Sequence, residues 1–434
     1  MKIAFHTLGC KVNQNDSQAM AELFRGCGHE IVPFEEGADV YIINTCAVTK
    51  VSEQKSRQII RKGMDLNPKA LVVVTGCYAQ TSPQEIVGLK GVHLVVGLAD
   101  RPRLAELVGE YFENGHNQVH VTAIDAVTGW HDLPVFDPQD RTRATLKIED
   151  GCNEFCSYCI VPYARGRVRS MPIRQVIDSF TVLVGKGFRE IVLTGIHLGH
   201  YGKDLNSQLD DLLEQLLKIA GDYRIRLGSL EPKDVTDELL NLIGSEERIC
   251  QHLHIPLQSG SDRILQKMGR NYDLSYYSDL IRRARKVNPL MSIGTDLIVG
   301  FPGESDLDFE DTCRFVESQQ FSKVHVFRFS PRSGTPAATM PDQVFKKIKE
   351  ERSQRIQQIA FDSAFFYARF FMGKDVKVLF EEKTAEGWSG LSGEYLRVIA
   401  HSDLDLKNRM QTVRIDEQKN DHLLGSLCLE KQDF

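Results

Sequence analysis

Apolar runs alternate with amphipathic helical patterns over most of this chain, and the alternation predicts an α/β protein. Residues 1–115 contain three apolar runs that are typical of buried parallel strands: KIAFHTLGC, ADVYIINTC and ALVVVTGC. Helical patterns separate these runs. We therefore expect an N-terminal α/β domain with a parallel sheet.

The same alternation continues through residues 141–372. Six β patterns occur there, separated by amphipathic helical runs: LKIED, EIVLTGI, RIRLGSL, HLHIPL, SIGTDLIVGF and KVHVFRFS. Six units are too few for an eightfold barrel, so the pattern predicts a partial, open (βα)6 barrel. A helix rich in charged and aromatic residues follows and is expected to end at Gly373.

Two further segments complete the chain. Residues 116–140 contain Trp130, Pro134 and Pro138 among mixed polar residues and are expected to form a linker. Residues 373–434 contain short β runs separated by glycines and polar turns, which favours a small antiparallel β-barrel.

Length and composition narrow the class of protein. A chain of 434 residues fits two or three domains. No stretch approaches the ~18 apolar residues of a membrane span, and the N-terminus is typical of a strand rather than a signal peptide. The ten cysteines are too dilute for a disulfide scaffold. We expect a cytoplasmic protein without a membrane segment, whose clustered cysteines bind metal.

Three cysteines, Cys152, Cys156 and Cys159, lie in one loop, in the run EDGCNEFCSYCIVPYARGRVRS. Thiolates are soft ligands that suit zinc or iron–sulfur chemistry. A structural zinc site is usually closed by four ligands, and this loop offers three. Three ligands on a four-iron cluster would leave one iron open. The alternative is a zinc site with a distant fourth ligand.

Three more cysteines end the three N-terminal apolar runs: Cys10, Cys46 and Cys77. The carboxyl ends of parallel strands meet where α/β folds bind ligands, so these side chains are expected to converge on a second metal site. A single cysteine at a strand end would more often be a buried apolar residue. Gly9 and Gly76 precede two of them and allow close approach of the backbone.

Basic residues crowd around the cysteine loop, although the whole chain carries a formal net charge of −6. They are Arg141, Arg143, Lys147, Arg165, Arg167, Arg169 and Arg174. RNA contacts require a local basic stripe rather than a basic chain, so either an RNA surface or a solvated basic face fits. We expect Arg165, Arg167 and Arg169 to contact RNA. In the C-terminal barrel, Trp388, Arg397 and Arg409 are the corresponding candidates.

The C-x3-C-x2-C spacing, with Tyr158 before the third cysteine, resembles the signature of radical S-adenosylmethionine (SAM) enzymes. The resemblance implies that SAM chelates the open iron. Loops at successive strand ends would then hold the rest of SAM. The candidates are Tyr158, Thr194, Gly195, Ser229, Glu231, Gln258, Asp296 and Gly300. His252 and His254 alternate on one strand and are expected to line the barrel.

Together the six cysteines resemble the radical SAM methylthiotransferases over essentially the whole chain. That family has an N-terminal domain with three cluster-binding cysteines, a radical SAM barrel and a C-terminal TRAM barrel. The resemblance implies two 4Fe–4S clusters, with Cys10, Cys46 and Cys77 on the auxiliary cluster and Cys152, Cys156 and Cys159 on the SAM cluster. No protein acid or base is expected to be catalytic, because the clusters and SAM carry the chemistry.

The runs HTLGCKVNQNDS, NTCAVT and TGIHLGHYG are similar to the branch that acts on N6-threonylcarbamoyladenosine in tRNA. The resemblance implies that one SAM methylates a sulfur on the auxiliary cluster. A second SAM yields a 5′-deoxyadenosyl radical that abstracts the hydrogen from C2 of the adenosine, which then forms a C–S bond. The implied partners are a tRNA anticodon stem-loop, a flavodoxin- or ferredoxin-like electron donor and a sulfur source.

Three alternatives stay open on the sequence. The chain could act on an aspartate of ribosomal protein S12, or on isopentenyladenosine in tRNA. It could also be a zinc-containing, non-catalytic RNA-binding protein. Activity on RNA or protein separates the enzymes, and iron or zinc content separates the last class.

Overall fold

The computed structural model describes residues 1–131, 133–134 and 142–428. Part of the predicted linker, including Pro138, lies outside these residues, as does Arg141 of the basic stripe. The described residues form an N-terminal α/β domain, a central parallel barrel and a C-terminal closed barrel. The predicted α/β fold class is confirmed.

The N-terminal domain is built on a parallel sheet with the strand order β2-β1-β3-β4-β5-β6. Its strands are β1 (Lys2–Thr7), β2 (Glu30–Val32), β3 (Val40–Thr45), β4 (Leu71–Gly76), β5 (Leu94–Val96) and β6 (Gln118–His120). The strand order reverses between β1 and β3, and ligands of such folds bind where the carboxyl ends of those two strands flank a crevice. Cys10 and Cys46 follow these two strands.

Helices cover both faces of this sheet. They are α1 (Lys11–Gly26), α2 (Lys50–Leu66), α3 (Cys77–Thr81), α4 (Pro83–Val87) and α5 (Leu104–Asn114). Phe24 of α1 and Leu107 of α5 pack on one face, while Ile60 of α2 and Tyr78 of α3 pack on the other. Burial on both faces explains why β3 and β4 are buried at every position instead of alternating.

The sheet extends past residue 115, the predicted end of the N-terminal domain. Strand β6 pairs in parallel with β5, with Leu94 opposite Gln118. It therefore belongs to the sheet, and the predicted linker 116–140 begins too early. The strand has only three residues, none of them fully buried, so it gives no apolar run in the sequence.

The central domain contains six parallel strands in the described residues. They are β7 (Arg143–Lys147), β10 (Glu190–Thr194), β11 (Arg224–Leu227), β12 (His252–His254), β13 (Ser292–Val299) and β14 (Lys323–Arg328). A short antiparallel pair, β8 (Glu149–Asp150) and β9 (Arg169–Ser170), brackets the cysteine loop.

These six strands form an open barrel, as predicted. They fall into two sheets of order β11-β10-β7 and β12-β13-β14. Single parallel bridges, Ile225–Ile249 and Ser229–His254, connect the two sheets. The outer strands β7 and β14 leave the barrel open along one side.

Helices surround this barrel on the outside. They are α7 (Ile173–Gly185), α8 (Leu209–Leu217), α9 (Asp237–Ser245), α10 (Asp262–Lys267), α11 (Leu274–Val287), α12 (Asp306–Gln319) and α13 (Lys346–Arg369). The short helix α6 (Val161–Arg165) packs instead on α3 of the N-terminal domain. Apolar side chains of strands and helices, such as Ile225, Leu213 and Leu280, form one continuous core between the two layers. Burial of this apolar surface drives the packing of the barrel.

The N-terminal domain packs along the open side of the barrel. Beside β7, the amide of Asn15 donates to the carbonyl of Thr145 at 2.8 Å. Beyond β14, the backbone N–H of Lys50 donates to Ser330 Oγ at 3.2 Å, and Arg332 forms an ion pair with Glu53. The sheet edge that carries Cys10 and Cys46 therefore faces the barrel interior.

The C-terminal strands close into a barrel of order β15-β16-β17-β19-β18. They are β15 (Asp375–Thr384), β16 (Gly387–Ser392), β17 (Arg397–Ala400), β18 (Met410–Gln418) and β19 (Leu423–Leu427). The predicted antiparallel arrangement holds for every pairing but one, since β17 pairs in parallel with β19. The cause is that β18 lies between β15 and β19, so β19 returns beside β17 in the same direction.

This C-terminal barrel docks against the starts of the central strands. Arg224 donates to the carbonyl of Leu391 at 2.8 Å, and Arg226 donates to the carbonyl of Ser392 at 2.9 Å. Buried Glu190 lies 2.7 Å from each guanidinium, so neither charge is left unpaired. Tyr395, at a φ of 69°, lies in the same turn, and its ring centroid is 4.5 Å from the Arg226 guanidinium and 4.9 Å from the His252 ring.

No helix in the described part of the chain combines the length and apolarity that crossing a membrane requires.

Candidate active site

The loop between β8 and α6 brings Cys152, Cys156 and Cys159 together. The N–H of Cys159 donates to the carbonyl of Cys156 at 2.9 Å, and the N–H of Cys152 donates to the carbonyl of Gly166 at 2.9 Å. Gly151 has a φ of 91°, and a Cβ there would lie 2.0 Å from the carbonyl oxygen of Arg167. Only glycine allows this tight return of the loop.

Hydrogen-bond donors approach two of these sulfurs. The N–H of Glu154 lies 3.3 Å from Cys152 Sγ, and Arg270 Nη1 lies 3.3 Å from Cys156 Sγ. Arg270 also forms an ion pair with Glu231, which holds the guanidinium in place. Donors of this kind favour the thiolate form of a cysteine. Arg270 was missed by the sequence analysis because it lies far along the chain in an ordinary turn.

His197 lies beside the same loop. Its Nδ1 is 3.5 Å from Cys152 Sγ, and its Nε2 is 2.6 Å from Asp234 Oδ2. His200 stacks on it with ring centroids 3.5 Å apart. A zinc site with three cysteines and one histidine would require His197 as its fourth ligand. A four-iron cluster would leave this imidazole as a neighbour of the ligand sulfur.

The second group of cysteines comes from three strand ends of the N-terminal sheet. Cys10 precedes α1, Cys46 follows β3, and Cys77 begins α3. Gly9 has a φ of 104°, and a Cβ there would meet Cys46 Sγ at 3.0 Å. The predicted convergence of the strand ends is therefore present for these residues, and the glycine is needed where the loops approach each other.

Burial raises the pKa of thiols in each of the two groups. It raises the pKa of Cys46 to about 11, with the Cys77 thiol adding to the shift, and raises the pKa of Cys159 to about 12. Thiols like these stay protonated near neutral pH unless a metal ion displaces the proton. Each group offers three soft sulfur ligands, which fits a four-iron cluster with one iron free of protein.

Arg165 links the two groups of cysteines. Its Nη1 lies 2.8 Å from Asp150 Oδ1, next to the SAM-cluster loop, and its Nη2 lies 3.1 Å from Asp16 Oδ2 on α1. Lys147 Nζ lies 2.7 Å from both Asp16 and Asp150. Burial alone would raise the pKa of Asp16, but Lys147, Arg101 and Arg165 outweigh it and lower the pKa to about 2. The network is charged at neutral pH and fixes the N-terminal domain against the barrel.

Several predicted SAM residues lie at the carboxyl ends of the barrel strands. Thr194 ends β10, and a Cβ on Gly195 would lie 2.4 Å from Glu149 Oε2. Ser229 Oγ lies 2.7 Å from His254 Nδ1, and His254 Nε2 lies 3.1 Å from Asp296 Oδ1. The loops therefore meet at one end of the barrel, and His254 connects two of them. Their contact with SAM stays a prediction.

The remaining SAM candidates differ in where the structure places them. Gln258 has a φ of 68° and bridges to Leu297, so its backbone lies at the strand end. Tyr158 is half-buried and packs against a small apolar cluster. Gly300 does not open space for a ligand, because a Cβ there would lie 2.3 Å from Cγ of Lys349. Lys349 of helix α13 occupies that side of Gly300, and a SAM contact at Gly300 stays a prediction.

Three predicted RNA contacts are wrong because their side chains are buried. Arg165 is fully buried in the ion-pair network, and Arg169 is 5% exposed. Trp388 lies in the core of the C-terminal barrel. Basic and aromatic residues also stabilise domain joints and cores, and a sequence pattern does not separate these uses.

Three predicted RNA contacts remain accessible. Arg397, Arg409 and Arg167 are exposed. The Arg167 guanidinium lies 4.8 Å from the ring centroid of Phe155, which is itself exposed beside the cysteine loop. A cation stacked on an exposed ring is a suitable surface for an unstacked base.

Two family models match this chain. Residues 2–97 match a family described as Uncharacterized protein family UPF0004, and residues 146–316 match the radical SAM superfamily. The first covers the sheet with the strand-end cysteines. The second covers the barrel with the cysteine loop.

Solved structures show the same fold at low sequence identity. One match is TsrM from Kitasatospora setae, a radical S-adenosylmethionine methyltransferase whose structure holds cobalamin and a 4Fe–4S cluster. It is 14% identical, has a TM-score of 0.59, and the match covers 78% of this chain and 74% of that chain. This likeness supports the fold alone.

Curated relatives cover almost the whole chain. One is the threonylcarbamoyladenosine tRNA methylthiotransferase MtaB of Bacillus subtilis (strain 168), 40% identical over 420 residues, or 95% of this chain and 93% of that relative. Another is a tRNA-2-methylthio-N(6)-dimethylallyladenosine synthase of Fusobacterium nucleatum, 34% identical over 439 residues, or 98% and 99%. With both cysteine groups in place on the expected fold, the chain belongs to the family of radical SAM tRNA methylthiotransferases.

Proposed function

We propose that this protein adds a methylthio group to C2 of N6-threonylcarbamoyladenosine in tRNA, at the position 3′ of the anticodon. The observation that carries the proposal is the pair of three-cysteine sites, which face one barrel interior and are joined through Arg165. The B. subtilis relative named for this substrate supports the choice of base.

The six cysteines have two different tasks. Cys152, Cys156 and Cys159 would hold the cluster that binds SAM, and Cys10, Cys46 and Cys77 would hold the auxiliary cluster. When bound, these cofactors supply one-electron cleavage of SAM and the sulfur that is transferred. Two clusters are needed because reduction of SAM and delivery of sulfur to an unactivated carbon are separate tasks.

The remaining residues of the site position and shield the reactants. Arg270 lies on Cys156 Sγ and on Glu231, so it holds the cysteine loop against the third barrel strand. The chain Ser229–His254–Asp296 fixes neighbouring strand ends. The N-terminal domain covers the open side of the barrel and limits the access of water, which protects reactive species from side reactions.

The C-terminal barrel and the cysteine loop offer surfaces for the tRNA. Arg397 and Arg409 are exposed on or beside the closed barrel and suit contacts with phosphates. Arg167 and Phe155 lie beside the SAM-cluster loop, where a base flipped out of the anticodon loop could stack. We further propose that an external donor of the flavodoxin or ferredoxin type supplies the electrons and that a sulfur source supplies the transferred sulfur. We place the protein in the cytoplasm.

The experiment is a substrate comparison with the anaerobically reconstituted protein, SAM and a reductant. The substrates are tRNA anticodon stem-loops carrying threonylcarbamoyladenosine or dimethylallyladenosine, together with ribosomal protein S12. We expect a methylthio mass gain on the threonylcarbamoyl substrate. Product on dimethylallyladenosine alone, or on S12 alone, would replace this proposal with one of the two related activities. Stoichiometric zinc without iron, from an anaerobic preparation, would contradict all three.

A further inference from the structure

One wall of the barrel interior is rich in polar side chains that the cluster chemistry does not use. Strands β12, β13 and β14 pair so that Asp296 lies opposite His325, and Gly294 lies opposite Lys323. A Cβ on Gly294 would lie 3.2 Å from the His254 ring and 3.8 Å from Cβ of Lys323. These side chains therefore share the face that points into the lumen.

Lys11 approaches this wall from the N-terminal domain. It directly follows Cys10, and its Nζ lies 5.9 Å from the ring centroid of Tyr395. Tyr395 in turn packs on His252, with ring centroids 4.9 Å apart. Burial lowers the pKa of His325, and among the neighbouring charges Lys323 and Lys11 lower it further. Residues of all three domains thus meet around the side chain of Lys11, the residue that follows Cys10.

The two lysines differ from the arginines of the same lumen. Arg226 and Arg143 are paired with Glu190 and Glu381. By contrast, Lys11 and Lys323 form no salt bridge with any described residue. Asp296, a carboxylate on this wall, is bonded to His254 instead. Among the residues that the structure describes, these two ammonium groups are therefore left without an anionic partner.

The geometry of the adenine base would bring the anionic group of its N6 substituent to this wall of the barrel. C2 and C6 of a purine flank N1 on the same edge of the ring. A base that presented C2 to sulfur held near Cys10 would turn its N6 substituent to the same side, and Lys11 directly follows Cys10. The threonylcarbamoyl substituent carries a carboxylate, whereas a dimethylallyl substituent is a hydrocarbon.

We infer that Lys11, with Lys323 on the facing strand, binds the carboxylate of the N6-threonylcarbamoyl group and so selects this substrate. The inference rests on the proposed function. An ammonium–carboxylate hydrogen bond is charge-assisted and is stronger than a neutral one. Tyr395 acts as a positioning residue, because its ring keeps the Lys11 ammonium directed into the lumen.

The test compares two anticodon stem-loops that differ only at this group: one carries threonylcarbamoyladenosine, and the other carries its methyl ester. For the wild type we expect kcat/KM to be about 10- to 100-fold higher for the acid. K11M should lose most of this preference by lowering the rate for the acid alone, and K11R should retain part of it. K323M should reduce the preference by a smaller factor.

Two controls separate substrate binding from damage to the cluster. Iron content, and formation of 5′-deoxyadenosine in the absence of RNA, should be unchanged in K11M. K69M removes an exposed lysine at the opposite edge of the same sheet and should leave both substrates unaffected. If K11M loses iron, the preference of K323M for the acid over the ester tests the inference instead, since Lys323 lies on a barrel strand away from the six cysteines.

The possible results separate failure of this inference from failure of the proposed function. Equal losses for the acid and the ester, or no loss for either in both K11M and K323M, would overturn the inference and leave the proposed function intact. Failure of the wild type on threonylcarbamoyladenosine, with activity on dimethylallyladenosine, would overturn the proposed function and this inference with it.

Discussion

The two cysteine sites are built in opposite ways. Cys152, Cys156 and Cys159 come from one short loop, and local hydrogen bonds with Gly166 and within the loop bring them together. Cys10, Cys46 and Cys77 come from three separate strands, so their convergence depends on the register of the whole N-terminal sheet. The SAM-cluster site is thus a local structure, whereas the auxiliary site is a product of tertiary folding.

This difference explains why the two domains must be fixed to each other. The ion pairs of Arg165 and Lys147 with Asp16 and Asp150 fix them, and we call this network the joint. A local loop can hold its cluster wherever it lies, but sulfur transfer requires a fixed distance between the two sites. Arg165 and Lys147 fix it by pairing with Asp16 of one domain and Asp150 of the other. The charges are buried, so removing one partner leaves the others uncompensated.

The largest expected effect comes from removing one site while keeping the other. With Cys10, Cys46 and Cys77 changed to alanine, we expect no methylthio product, whereas SAM is still cleaved to 5′-deoxyadenosine. With Cys152, Cys156 and Cys159 changed to alanine, both reactions should be lost. Product analysis by mass spectrometry checks this, and C27A, an exposed cysteine outside both groups, is the matched control. Loss of SAM cleavage in the auxiliary variant would show that the sites are not separable.

The next effect concerns the joint. Arg165→Met should lower the free energy of unfolding by about 3–5 kcal/mol, because two buried carboxylates lose their partner. Sulfur insertion should fall more than SAM cleavage. Denaturant unfolding and the two activities measure this. Arg167→Met, two positions along and exposed, should change the unfolding free energy by no more than about 0.5 kcal/mol. Equal stability of the two variants would contradict the role of the joint.

Much of this contrast could be predicted from the sequence. The close spacing of Cys152, Cys156 and Cys159 is visible directly, and the strand-end positions of the other three follow from apolar periodicity. The (βα)6 pattern is equally visible, because β10 and β11 are buried runs and the other strands still carry short apolar β patterns. What a single sequence does not contain is the partner of a long-range contact.

The wrong and the missed predictions have this same cause, namely that a single sequence does not show which residues meet in the fold. Arg165 looks like part of an RNA surface because one of its acidic partners, Asp16, lies more than a hundred residues away in the sequence. Arg169 looks the same because its burial beside Asp150 and the Arg167 carbonyl is visible only in the fold. Trp388 looks like a stacking platform because periodicity does not show which face of a small barrel is the core. Arg270 and His197 reach the cluster loop only through the fold. The parallel pairing of β17 with β19 also depends on strand order, which local pattern does not specify.

Acid pH should weaken the joint in a defined window. The pKa of Asp16 is lowered from its ordinary value of 3.8 to about 2, so its contribution to stability is present above pH 4 and is lost as the pH falls towards 2. Wild type should therefore exceed Asp16→Asn by about 2 kcal/mol at pH 6. The difference should shrink between about pH 4 and pH 2. Denaturant unfolding across this range tests it, and a gap that stays constant with pH would contradict the charged joint.

The smallest effect concerns tRNA affinity. Arg397→Ala and Arg409→Ala should each weaken tRNA binding a few-fold without changing iron content. Each lost phosphate contact should also reduce the slope of log K against log salt by about 0.9. Filter binding at several salt concentrations measures both quantities. Trp388→Phe, which alters a buried residue, should leave the salt slope unchanged; a changed slope there would place the RNA on a different surface.

The most direct measurement is the iron count of the reconstituted wild type and of the two triple-alanine variants, made anaerobically with Mössbauer spectra. We expect about eight irons per chain in the wild type and about four in each variant, all in four-iron clusters. If the variant lacking Cys10, Cys46 and Cys77 binds as much iron as the wild type, the strand-end cysteines hold no cluster. The account of sulfur transfer would then be wrong.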